Sequence, residues 1–89
     1  MNTIWKFRPP IQDSLAIEMP REAQLLCVQT QRNTPCIWAL VDSDAPIETR
    51  HFAWRGTGHP CGGLKAIGHV GSIQLLGGEL VFHLFEVSE

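Results

Sequence analysis

Gln24-Leu25-Leu26-Cys27-Val28-Gln29-Thr30-Gln31, then Arg32-Asn33-Thr34, then Pro35-Cys36-Ile37-Trp38-Ala39-Leu40-Val41-Asp42 follow one another without a break. Two extended runs about a short polar turn predict a β-hairpin. Asn tolerates the left-handed conformation that such a turn needs. The second arm is apolar at successive positions from Cys36 to Val41, so both faces are apolar and the arm reads as a central strand. Trp38 on that arm reads as core.

Outward from the hairpin the period stays at two. Thr3–Arg8 alternates, with Trp5 and Phe7 on one face, until Pro9-Pro10 removes two ladder donors. Ser14–Met19 places Leu15, Ile17 and Met19 on one face and stops at Pro20. Asp42-Ser43-Asp44-Ala45-Pro46 is turn chemistry, and Ile47–Arg55 resumes with Phe52 and Trp54 sharing a face. Residues 66–76 and 79–87 read as a second hairpin about Gly77-Gly78, with Leu80, Phe82 and Leu84 opposite Val81, His83 and Phe85. Helical spacing is absent beyond one short turn at Leu64–Ile67 and a weaker one at Arg21–Leu26. Six or seven short antiparallel strands in one small domain spanning 1–89 predict an all-β fold, a small β-sandwich or a partly closed barrel. A single open sheet would leave two free edges and too much apolar surface.

Composition bounds the function. The chain has 89 residues, 44% of them hydrophobic and 18% charged, with a net charge of −2. A chain this short buries only about 60–65% of its unfolded surface, and few charges are available to cover the rest. That favours a homo-oligomer or a partner-binding patch. The seven Lys and Arg residues are scattered singly, which argues against nucleic acid as a partner, although a patch can still form in three dimensions. No apolar run approaches the roughly 20 residues of a membrane span, and Met1-Asn2-Thr3-Ile4-Trp5-Lys6 lacks the pattern of a signal peptide. The expectation is a cytoplasmic protein with no membrane partner. Three cysteines, Cys27, Cys36 and Cys61, are an odd number and read as thiols.

Gly56-Thr57-Gly58-His59-Pro60-Cys61-Gly62-Gly63 is the densest chemistry in the chain. Backbone N–H groups of such a stretch can cradle an anion. Gly56, Thr57, Gly58 and His59, with Arg55 and Lys65 supplying charge, are therefore the candidate ligand-binding residues. The stretch is neither GxGxxG nor GxxxxGK[ST], and a strand rather than a helix follows it. His59 and Cys61 are also the residues a hydrolase or metal-dependent enzyme would use. Their one-residue spacing lacks the paired short intervals of zinc sites, and nothing marks a third group to orient a Cys–His pair. No catalytic residue, metal or cofactor is assigned. Asp42, Asp44 and Glu48 lack the ordered spacing of a calcium loop. His83 reads as a core or rim histidine. Trp5 and Trp54 read first as core, and they are also the candidate interface anchors, since tryptophan is enriched at interfaces.

Six stretches occur in a familiar order: Thr3-Ile4-Trp5-Lys6-Phe7, Ile17-Glu18-Met19-Pro20, Trp38-Ala39-Leu40-Val41-Asp42, Gly56-Thr57-Gly58-His59-Pro60, Ile67-Gly68-His69-Val70, and Leu80-Val81-Phe82-His83-Leu84-Phe85-Glu86. Taken together, over nearly the whole chain, they resemble a family of small proteins carried by bacteriophages and by bacterial genomes with prophages. That family more usually has an acidic stretch after the GTGHP turn. Here Cys61-Gly62-Gly63-Leu64-Lys65 stands instead, which gives Cys61 no shared role. The resemblance implies a phage or prophage accessory protein inside the host cell, and no assigned activity. Composition and resemblance together favour a non-enzymatic protein that binds a host protein or itself. The alternatives are sequestration of a small nucleotide-like ligand by the Gly56–Gly63 loop and, third, the His59/Cys61 enzyme.

Overall fold

The structure, a computed structural model, describes residues 1–88. Seven strands form: β1 Asn2–Phe7, β2 Leu15–Pro20, β3 Gln24–Gln31, β4 Thr34–Asp42, β5 Ile47–Gly56, β6 Ala66–Leu75 and β7 Leu80–Val87. They make two antiparallel sheets, one of three strands in the order β1-β4-β3 and one of four in the order β2-β5-β7-β6. The fold is a β-sandwich; the sheets do not close into a barrel.

The core is built from the inward parity of both sheets. Ile37, Ala39 and Val41 of β4 meet Phe52 and Trp54 of β5, Leu84 of β7, and Ile73 and Leu75 of β6. β4 is central, as its run of apolar residues predicts. Its two faces nevertheless have different fates. Residues paired directly across strands share a face, and Lys6↔Trp38↔Cys27 and Ile4↔Leu40↔Gln24 point away from the second sheet. Trp38 is therefore half-buried on the outer face rather than in the core. Trp54 is the buried tryptophan, 2% exposed, with Nε1 donating to Pro10 O at 3.0 Å.

Two turns differ from their sequence reading. Gln31 pairs with Thr34, so the first hairpin closes through two residues, Arg32 and Asn33, both left-handed at φ 51° and 62°. Leu75 pairs with Leu80, so the second hairpin is closed by four residues, and Leu76, Gly77 and Gly78 all have positive φ. The two turns lie together at one end. Leu76 N donates to Asn33 Oδ1 at 3.1 Å, and Thr30 Oγ1 donates to Gln74 O at 3.0 Å. Both bonds join the two sheets along β3 and β6. There the backbones approach so closely that a Cβ on Gly71 would lie 2.7 Å from Val28 Cγ1.

At the opposite end, Arg21 N donates to Pro46 O and Ser43 N to Met1 O. The Met1 ammonium sits 3.1 Å from Asp42 and 2.7 Å from Asp44. The interior closes on that side with Arg50 and Glu86. Two bonds of 2.7 Å join them side by side, and Arg50 Nη1 donates to Ala23 O.

Candidate functional site

The glycine stretch connects β5 to β6, and the topology decides what it does. β5 and β6 both run antiparallel to β7, so they are parallel to each other. Parallel strands need a crossover. Residues 57–65 therefore leave the Gly56 end of the sheet and return to the Val87 end, where Ser88 N donates to Lys65 O at 3.0 Å. This is a connection across the sheet, and its ends carry the candidate residues to different places.

Arg55, Gly56 and His59 stay together. They line a cleft of about 400 Å³ with Asp13, Trp54 and Phe82. The His59 ring rests on Gly56, where an added Cβ would fall 2.7 Å from it. Arg55 Nη1 donates to Asp13 O and to Trp54 O, each at 2.8 Å. Lys65 does not line this cleft. Thr57 turns to the outer face of the four-stranded sheet, its Oγ1 2.8 Å from His83 Nε2. Gly58 is needed for its left-handed backbone, φ 85°, and points into open space. The Cys61 thiol donates to His59 O at 3.6 Å, so the sulfur meets the backbone of His59 while the ring faces Gly56. Among the described residues, no group of three His, Cys, Asp or Glu side chains is placed to hold a metal.

The tryptophans divide. Trp54 is enclosed within the monomer, so it leaves the set of interface anchors. Trp5 remains 36% exposed at the free edge of β1, with its ring centroid 6.4 Å from that of Phe7.

Two further arrangements escape the linear reading. On the outer face of the four-stranded sheet, Ser72 Oγ lies 2.6 Å from His83 Nδ1 and 3.4 Å from His69 Nε2. Alternation along 80–85 already sets Val81, His83 and Phe85 opposite the core-facing Leu84; the Ser72↔His83 register is a property of the fold alone. The second arrangement is the outer face of the three-stranded sheet. Ile4 and Leu40 are a directly opposed pair, 57% and 38% exposed, and Leu26, pushed out at the β3 bulge, is 45% exposed. Trp38 lies among them. At one end of this face Lys6, Arg8 and Arg32 converge on a single cleft that no carboxylate among the described residues lines. Lys6 Nζ reaches across β4 to Gln31 Oε1 at 2.9 Å, and this bridge lies over Cys36, which is 1% exposed. At the other end stand Asp42, Asp44 and Glu22, with Arg21 and the Met1 ammonium. Asp42 is held below the usual carboxylate range, first by the Asp44 backbone N–H and then by the ammonium.

No helix among the described residues is long and apolar enough to cross a membrane. The model of a family described as a domain of unknown function, DUF7352, matches residues 1–89, and the chain belongs to that family. No curated protein and no solved structure matches the chain.

Proposed function

We propose that this member of the family is a non-catalytic binding module whose working surface is the outer face of the three-stranded sheet. The observation that carries the reading is an apolar stripe of Ile4, Leu40 and Leu26 left in solvent around Trp38, in a chain that is only 18% charged. Exposed apolar residues contiguous on a flat face mark interaction surfaces, and a half-exposed tryptophan is a favoured anchor. In this reading the protein is a phage or prophage accessory protein that acts inside a host cell on a host protein or on itself; the family resemblance supports that context. The test is capture from a host extract. Ile4→Lys and Leu40→Lys should keep the far-ultraviolet spectrum and melting profile of the wild type while losing at least tenfold in capture. Retained capture by both variants would sink the reading.

A second reading rests on the cleft at Arg55, Gly56 and His59, whose volume suits a small ligand. A nucleotide-like anion there would be held by Arg55 and the imidazole. Thermal shifts across a panel of nucleotides, with and without His59→Ala, test it. A shift that persists in the variant, or no shift at all, removes this cleft as the site.

A further inference from the structure

We infer that the outer face of the three-stranded sheet binds the same face of a second copy of the chain, with the strands of the two copies running in opposite directions. This rests on the proposed working surface and names its occupant. The argument begins with size. Three strands about 4.8 Å apart, the longest spanning nine residues at about 3.3 Å each, make a face roughly 15 Å by 30 Å. Two such faces bury on the order of 900 Å² in total, the size of a weak, transient interface. An interface of this size belongs to a weak, concentration-dependent dimer.

Charge then selects the orientation. Two identical faces pack by a two-fold axis lying in the interface plane. An axis along the strands would set like ends together, with Lys6, Arg8 and Arg32 of one copy against the same three cations of the other. An axis across the strands, through the middle of β4 at Trp38, sets each basic end against the other copy's opposite end, where Asp42, Asp44 and Glu22 outnumber Arg21 and the Met1 ammonium by one charge. The cations are available for this. Among the described residues, Lys6 is bonded to the neutral Gln31, and Lys6, Arg8 and Arg32 have no ion pair. Arg32 also occupies a left-handed turn position, φ 51°, that favours Asn, Asp or Gly. The local backbone therefore does not account for a cation at this position. In the antiparallel arrangement the two tryptophans meet on the axis, and the Ile4–Leu40 pair of each copy lies two residues along β4 from it, one pair on each side.

Sedimentation velocity of the full chain from 1 µM to about 500 µM tests the inference. The expected result is a monomer–dimer equilibrium within that concentration range, weakened at least tenfold by Leu40→Lys and weakened by added salt. Arg8→Glu with Arg32→Glu should weaken it as well, and adding Glu22→Lys and Asp44→Lys to that pair should restore it. A monomer at every concentration overturns the inference, as does a dimer indifferent to Leu40→Lys. A dimer strengthened by salt, or one not restored by the four-fold exchange, overturns the antiparallel orientation. In the first two cases, capture from a host extract that is lost in Leu40→Lys leaves the working surface standing with a different occupant; capture retained by both Ile4→Lys and Leu40→Lys removes the surface as well.

Discussion

Arg50 and Glu86 are the pair on which residue-scale energetics is clearest. Their side chains are 17% and 19% exposed, so the pair is mostly removed from water, and its side-by-side geometry offsets the desolvation. Hydrogen bonding to Glu86 is the main reason the guanidinium is held more firmly cationic than usual. Glu86→Gln leaves that charge partly unmatched and should cost about 2 kcal/mol in urea unfolding, whereas Arg50→Met with Glu86→Leu should recover most of the loss. Gly56 is a second residue with one evident cause. Gly56→Ala drives a Cβ into the His59 ring and should cost about 1 kcal/mol. The loss should largely vanish in the double variant with His59→Ala, a coupling readable from a four-member cycle.

The Met1–Asp42–Asp44 cluster sets a pH window. The ammonium is raised above its ordinary value, mainly by Asp44, so its contribution is complete below that value and is lost as pH rises through the raised one. Asp42 is lowered, so its contribution is present above the ordinary carboxylate range and is lost as pH falls through the lowered value. Melting temperature should be highest between these limits. Acetylation of Met1 should remove the alkaline limb, and raised salt should flatten the window because the groups lie in solvent.

At the scale of elements, the two hairpin turns act as one unit. Asn33 supplies a left-handed residue to its own turn and an acceptor to Leu76 N of the other. Asn33→Ala loses both and should cost about 1–2 kcal/mol; Asn33→Gly loses only the acceptor and should cost less. Arg32→Asn relieves the disfavoured backbone and should raise stability by up to about 1 kcal/mol. Gly71→Ala presses β6 against β3 at Val28, inside the packed layer, and should cost about 1–3 kcal/mol. These elements also show where sequence reading ends. The strands were legible from period-two alternation or, in β4, from an unbroken apolar run, because both are local properties. The glycine stretch reads as a local turn for the same reason. That it is a crossover follows only from β7 lying between β5 and β6, a pairing decided by residues far away in the chain.

For the whole molecule, the core is thin and largely non-local. Asn2 pairs with Asp42 and Ala66 with Val87, and the Cα extents are 40 × 31 × 16 Å. Such a topology folds in milliseconds to seconds, and stopped-flow tryptophan fluorescence should show it, since Trp54 is enclosed. Phe52 is 0% exposed, and Phe52→Ala should cost about 3–5 kcal/mol. Against the 5–15 kcal/mol typical of a domain, that brings the chain close to unfolding at 37 °C.

The sequence by itself determined six or seven strands, the alternation along most of them, the central position of β4 and the all-β class, because hydrophobic alternation and turn residues act over two to four positions. Only the tertiary structure decided which of the two apolar faces of β4 would be covered, and so that Trp54 is core and Trp38 is surface. It also gathered Lys6, Arg8 and Arg32 into one basic end, although they are scattered along the chain, and parted Lys65 from Arg55 and His59, although they are close in it. The physical reason is that strand partners are chosen by the burial summed over both sheets. No single segment carries that sum, and every surface formed between segments inherits it.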